Sequence, residues 1–211
     1  MDKNLTEIVF LLDRSGSMAG LESDTIGGFN SFIKKQCSLG RTHLTTILFD
    51  DRYEILHNGI DASNVTLTDK DYYTRGTTAL LDAVGKAIID VGYRLSHLME
   101  DLHPNKVIFV ITTDGLENSS REFTYDKVKQ MISRQKEACN WDFIFMGANI
   151  DVAEESNKLG INPSMAFKYN SSVEGTKKMY DMVGNMVCEL RLDQFRKTGD
   201  PLSKDSLDSI N

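Results

Sequence analysis

Apolar residues along this chain fall into two kinds of run. Ile8–Leu12, Val107–Ile111 and Phe143–Met146 are short and continuous, the pattern of strands buried on both faces of a parallel sheet. Between them, apolar positions recur every three or four residues: Ile26, Phe29, Phe32 and Ile33; then Leu80, Leu81, Val84, Ala87, Ile88, Val91 and Leu95; then Val128, Met131 and Ile132. This spacing predicts helices that bury one stripe each. Strand and helix alternate, so the expected class is α/β, a mostly parallel sheet covered by helices on both faces.

Leu44–Phe49 and Tyr53–Leu56 are joined only by Asp50-Asp51-Arg52. That connection is too short for a crossover helix, so the two strands are expected to pair antiparallel as a hairpin at one edge. Beyond Phe143–Met146 the pattern predicts a short helix over 151–159 and a last strand over 165–169. A helix follows in which Met179, Met182, Val183, Met186, Val187 and Leu190 form one continuous stripe. The segment 193–211, ending RKTGDPLSKDSLDSIN, is polar with little periodicity and reads as a flexible tail to a single domain spanning 5–192.

Composition narrows the function classes. The 211 residues are 40% hydrophobic and 26% charged, and no apolar run approaches the roughly 20 residues of a membrane span. A net charge of −7, with no Lys/Arg cluster interleaved with aromatics, disfavours a nucleic-acid backbone and leaves proteins or cations as partners. The N-terminus MDKNLTEIVFLLDRSG has no signal-peptide pattern, so a cytoplasmic location is expected. Cys37, Cys139 and Cys188 are few, far apart and set among apolar helical neighbours, which predicts reduced core thiols.

The first buried run ends in DRSGSMAG, residues 13–20. Side chains alternate along an extended segment, so Asp13, Ser15 and Ser17 can face one way, with Gly16 permitting a tight turn between the serines. A carboxylate and two hydroxyls are hard donors suited to Mg²⁺, Mn²⁺ or Ca²⁺ rather than zinc or copper. Arg75-Gly76-Thr77-Thr78-Ala79-Leu80 opens a helix, and Thr112-Thr113-Asp114-Gly115 ends the strand Val107–Ile111; both could complete the set. In a doubly wound sheet, ligands bind outside the carboxyl ends of the strands where the strand order reverses, and Asp13 and Asp114 both lie at such ends.

Together, DRSGS at 13–17, GTTAL at 76–80 and TTDG at 112–115 resemble a von Willebrand factor type A domain with a metal-ion-dependent adhesion site, of the bacterial stand-alone type. The resemblance covers roughly residues 5–192. It implies six strands in the order 3-2-1-4-5-6 with strand 3 antiparallel. It also implies that Ser15 and Ser17 bind the ion directly, that Asp13 and Asp114 bind it directly or through water, and that Thr77 joins the shell in some conformations. Where many members carry two glycines this chain has Arg75-Gly76, and a second threonine follows, so Thr78 is the alternative to Thr77.

The function so implied is a Mg²⁺-dependent protein-binding module in which an Asp or Glu carboxylate of the partner completes the coordination sphere. A rival is a Mg²⁺-dependent phosphotransfer or hydrolytic enzyme with Asp13 as nucleophile. Against it, Ser15 stands where dehalogenase-type phosphatases place a second Asp, and no GxSxG, GxxxxGK[ST] or GxGxxG occurs. A third reading makes DRSGS a helix cap only. Arg14 faces away from Asp13 and Ser15, toward the surface or a carboxylate partner; Asp50-Asp51 reads as a hairpin turn. Glu117 and Asn118 are expected at the rim or in a solvated loop, and Tyr72, Tyr73 and Arg75 in partner or loop contacts. The methionines of the last helix are expected in the core.

Overall fold

The first strand explains the layering. In the computed structural model, which describes residues 5–198, β1 (Thr6–Asp13) is buried along its whole length. Its side chains alternate between two cores: Val9 and Leu11 enter one, Ile8, Phe10 and Leu12 the other. A strand apolar on both sides needs cover on both sides. That cover comes from α2 (Leu80–Ser96), α3 (Tyr125–Cys139) and α4 (Val152–Lys158) on the Val9 face. On the Phe10 face it comes from α1 (Glu22–Leu39) and α5 (Val173–Thr198).

The remaining strands are β2 (Thr42–Phe49), β3 (Tyr53–Asp61), β4 (Lys106–Thr113), β5 (Asp142–Ala148) and β6 (Ala166–Tyr169). They form one six-stranded sheet in the order β3-β2-β1-β4-β5-β6. Only the β2–β3 hairpin is antiparallel. From β1 the chain winds outward to β2 and β3, then returns through α2 to place β4 on the other side of β1. The strand order therefore reverses between β1 and β4, with Leu12 beside Thr112, so that Asp13 ends β1 and Asp114 follows the end of β4 at the same edge of the sheet.

Some expectations change. The last helix continues to Thr198, past the point at which the polar tail was expected to begin; the rest of that segment, 199–211, lies outside the described residues. All three cysteines are free, but Cys139, as the last residue of α3, is exposed rather than in the core. Met179 is buried whereas Met182 is exposed, since the continuous stripe runs through Met179, Val183 and Val187.

On the Phe10 face, Phe10 meets Phe29 and Phe32 edge-on, each with ring centroids 5.3 Å apart, and Tyr180 of α5 at 6.1 Å. Tyr180 lies flat against the α1 backbone at Gly28, where a Cβ would come within 2.1 Å of its Cδ2. Gly28→Ala is therefore expected to destabilise the protein by about 1–3 kcal/mol through overpacking, despite alanine's better helix propensity. Urea unfolding monitored by circular dichroism measures it, and an unchanged or raised midpoint would contradict the close α1–α5 contact.

Candidate metal centre

At the end of β1 the chain turns on its own carboxylate. Asp13 Oδ1 accepts the Ser15 N–H at 2.7 Å, closing a local turn. Its Oδ2 accepts the Thr113 hydroxyl at 2.7 Å from the neighbouring strand, and its carbonyl accepts the Tyr72 hydroxyl at 2.6 Å. Residues 16–18 then form a single 3₁₀ turn. The Ser15 and Ser17 hydroxyls lie 3.0 Å apart, and Ser17 donates to Asp114 Oδ1. Asp13 is 0% and Asp114 3% exposed, whereas Ser17 is exposed and stands at the mouth.

The two threonines differ in burial. Thr77 is exposed. Thr78 is 2% exposed, and a Cβ placed on Gly115 would sit 3.2 Å from Thr78 Oγ1 and 3.3 Å from Ser17 Oγ. The hydroxyls of Ser17 and Thr78 thus flank one point, beside Asp114, that glycine leaves clear. Asp13, Ser15, Ser17 and Asp114 lie together, and the threonine beside them is Thr78, the alternative to Thr77. The physical reason is the loop path: Gly76 adopts a positive φ of 67°, after which Thr77 turns outward and Thr78 inward.

Thr78 is held from both directions by Asn118, whose Oδ1 accepts the Thr78 N–H at 3.0 Å and whose N–H donates to the Thr78 carbonyl at 3.1 Å. Glu117 and Asn118, expected at a rim or in a solvated loop, instead join the loop after β4 to the start of α2. Glu117 accepts from the N–H groups of Leu81, Ser119 and Ser120. Asp82 in turn accepts from those of Arg121, Glu122 and Phe123. The Leu81 N–H is one of the free donors at the start of α2, where a carboxylate is favoured; the other five belong to the loop itself. The run ENSS after TTDG was the sequence signal, since Asn, Ser and Glu are good acceptors for such groups.

Arg14 is 0% exposed and directed into the protein. It donates to Asp50 Oδ2 at 2.9 Å and to Glu54 Oε2 at 2.8 Å, so the carboxylate alternative holds and the surface alternative does not. Asp50, expected in a hairpin turn, does accept the Arg52 N–H at 2.6 Å, yet it is fully buried. The missed signal was phase: an Arg within a buried extended segment, facing away from its acidic neighbour, enters the opposite layer and requires a carboxylate there.

Electrostatics separates this site from the other buried carboxylates. Glu7 is paired with Arg94, Asp50 with Arg14 and Arg75, and Glu155 with Lys158. Burial favours the neutral form of Asp50, but hydrogen bonds from Arg75 and the Arg52 N–H, with the charges of Arg14 and Arg75, hold its carboxyl below the usual range. Asp13 and Asp114 have no cationic side-chain partner among the described residues. Burial pushes Asp13 up to about 6, against hydrogen bonds from Ser15 and Thr113 that lower it, and the Asp114 charge adds to the rise. Burial likewise raises Asp114, whose Oδ2 has no hydrogen-bond partner among the described residues. Two crowded carboxylates, one with an orphaned oxygen, ringed by hydroxyls and lacking a countercharge, fit a hard divalent cation.

No protein-family model matches the sequence, and no curated protein matches it. Solved structures do. Proximal thread matrix protein 1 from the mussel byssus is 16% identical, over 88% of this chain and 46% of that one, with a TM-score of 0.63; it has also been solved with zinc in its MIDAS motif. This chain thus spans about half the length of the mussel protein. The vWF domain of the type V pili tip protein Mfa5 from Porphyromonas gingivalis is 10% identical over 86% of this chain and 94% of that one, with a TM-score of 0.63. Manganese-loaded TRAP from Plasmodium vivax is 17% identical over 84% and 72%, with a TM-score of 0.55. At such low identity the likeness is one of fold, and the fold of this chain is that of the von Willebrand factor type A domain.

Proposed function

We propose that this protein is a divalent-cation-dependent protein-binding module whose ion is held by Asp13, Ser15, Ser17, Thr78 and Asp114. The observation that carries this reading is the pair of buried carboxylates without a countercharge among the described residues, converging with three hydroxyls where the strand order reverses. Metal-occupied sites in the mussel and Plasmodium structures support a divalent ion. A small, all-oxygen site favours Mg²⁺, with Mn²⁺ or Ca²⁺ as alternatives.

The two aspartates balance the ion formally and the hydroxyls are neutral. The ion would supply an electrophilic position at the mouth of the site, where Ser17 is exposed, for an Asp or Glu carboxylate of a protein partner. In this reading the site binds and turns nothing over. A cleft of about 800 Å³ bounded by Leu116, Ile150, Val152, Pro163 and Lys168 begins two residues past Asp114 and offers surface for the partner's neighbouring side chains.

Titration calorimetry of the metal-free protein with Mg²⁺ and Mn²⁺ tests the proposal. Binding by the parent is expected, with its loss in Asp13→Ala and Ser15→Ala variants that circular dichroism shows to be folded. Thr78→Ala should weaken binding and Thr77→Ala leave it unchanged. Failure of the parent to bind either ion would overturn the reading. Protein captured by the immobilised domain in Mg²⁺ is expected to be released by EDTA.

The Asp13 shift gives a second test. The folded, metal-free protein keeps this proton to about pH 6, whereas the unfolded chain loses it near 3.8. The folded state therefore binds more protons across that window, and this group makes metal-free stability fall as pH rises through it. An ion competes with the same proton, so stabilisation by Mg²⁺ should grow as pH rises. Thermal melts from pH 4 to about 7.5 in EDTA and in Mg²⁺ should thus diverge with increasing pH; parallel curves would speak against an ion at Asp13.

A further inference from the structure

We propose that the buried Arg14–Asp50 pair, with Arg75, positions Thr78 in the metal centre, and that orienting this loop rather than stabilising the fold is what the cluster does. The inference rests on the metal-binding reading above.

Arg14 stands between two candidate ligands, Asp13 and Ser15, so any movement of its backbone moves both. Its guanidinium Nε donates to Asp50 Oδ2 at 2.9 Å, and Arg75 Nε donates to that same oxygen at 2.6 Å. One carboxylate oxygen thereby joins the DRSGS turn to the threonine loop. Backbone hydrogen bonds repeat the link on both sides of Thr77-Thr78. The Arg75 N–H donates to the Arg14 carbonyl at 2.8 Å and the Gly16 N–H to the Gly76 carbonyl at 3.1 Å, while the Ala79 N–H donates to the Asp50 carbonyl at 2.9 Å. Both guanidinium groups also lie against the Tyr73 ring, 5.7 Å and 5.4 Å from its centroid. The carboxylate of Asp51 closes over Gly76, where a Cβ would meet its Oδ1 at 2.2 Å.

A buried ion pair is weak evidence that this cluster is there for stability. Arg14 and Asp50 are both fully buried, and Arg14 Nη1 has no hydrogen-bond partner among the described residues. Desolvating two such charges offsets much of their attraction, and apolar replacements of similar volume are often neutral or stabilising. What apolar side chains cannot supply is direction. A guanidinium donates in a fixed planar fork, so two arginines on one oxygen set the relative position of the segments that carry them. The segment so placed bears Thr78, whose other side is held by Asn118.

Arg75→Met is the first test, because Arg75 is 32% exposed and its loss leaves the core intact. The double variant Arg14→Met/Asp50→Leu removes the buried charges as a pair. Both are compared with the parent and with Ile132→Val, a core change in α3 remote from the site. Each protein is measured for Mg²⁺ affinity by calorimetry, for thermal stability, and for amide hydrogen exchange at Arg75, Thr78 and Ala79 without metal. The expected result is a roughly 10- to 100-fold weaker Mg²⁺ affinity in Arg75→Met and in the double variant. Faster exchange at the three amides should accompany it, with melting temperatures no lower than that of Ile132→Val, which keeps parental affinity and exchange. Parental affinity and exchange in Arg75→Met would overturn the proposal, and that variant decides alone should the double variant fail to fold. A parent that binds no Mg²⁺ would sink the metal-binding reading instead, and the exchange rates would then decide whether the arginines hold the loop.

Discussion

Two carboxylates that leave neighbouring parallel strands, with no cation among the described residues to offset them, set the constraint around which this structure is arranged. Asp13 and Asp114 are both buried, and a buried, unpaired carboxylate is costly enough that its proton affinity rises, as it does here. Among the described residues no lysine or arginine relieves this, although one does so for Glu7, Asp50 and Glu155. It surrounds the pair with hydroxyls from Ser15, Ser17, Thr78 and Thr113 instead. Hydroxyls lessen the cost of burial but do not cancel charge. A site with this imbalance is poised for a cation, and the imbalance exists because the strand order reverses between β1 and β4.

The rest of the local structure serves to keep the hydroxyls where they are. Thr78 belongs to neither strand; it precedes α2 by two residues and depends on its neighbours for position. On one side, Asn118, Glu117 and Asp82 bind the start of α2 to the loop after β4 through a set of backbone N–H donors. On the other, Arg14, Asp50 and Arg75 bind the same segment to the turn after β1 and to the hairpin. The three loops of the site are thus hydrogen-bonded to one another, which is how loop residues acquire the rigidity a coordination site needs. The buried Tyr72, whose hydroxyl donates to the Asp13 carbonyl, adds a further tie from the threonine loop to the end of β1.

How far the sequence disclosed this depends on the range over which each feature is encoded. Periodicity acts over a few residues, so the six strands, the flanking helices and the β2–β3 hairpin were legible from the positions of residues such as Val9, Phe10, Val84 and Ile132. The alternation of Asp13, Ser15 and Ser17 around Gly16 is equally local, and a strand ending in Asp114 needs only its own apolar run to be recognised. Where side chains sit near a boundary of burial, the same reasoning failed: Cys139 ends its helix and Met182 lies off the stripe, and both face solvent.

What the sequence by itself determined, then, was the fold class, the order of the elements and the carboxylates and serines presented at the strand ends. Only the tertiary structure decided that Thr78 and not Thr77 turns inward, that Asn118 clasps it, and that Arg14 finds Asp50. Those pairings join residues 36 and 40 positions apart, and Ser17 meets Asp114 across 97. The physical reason is that a loop has no period to read. Its side-chain directions follow from a single positive φ at Gly76 and from contacts that exist only once both cores have closed on the sheet.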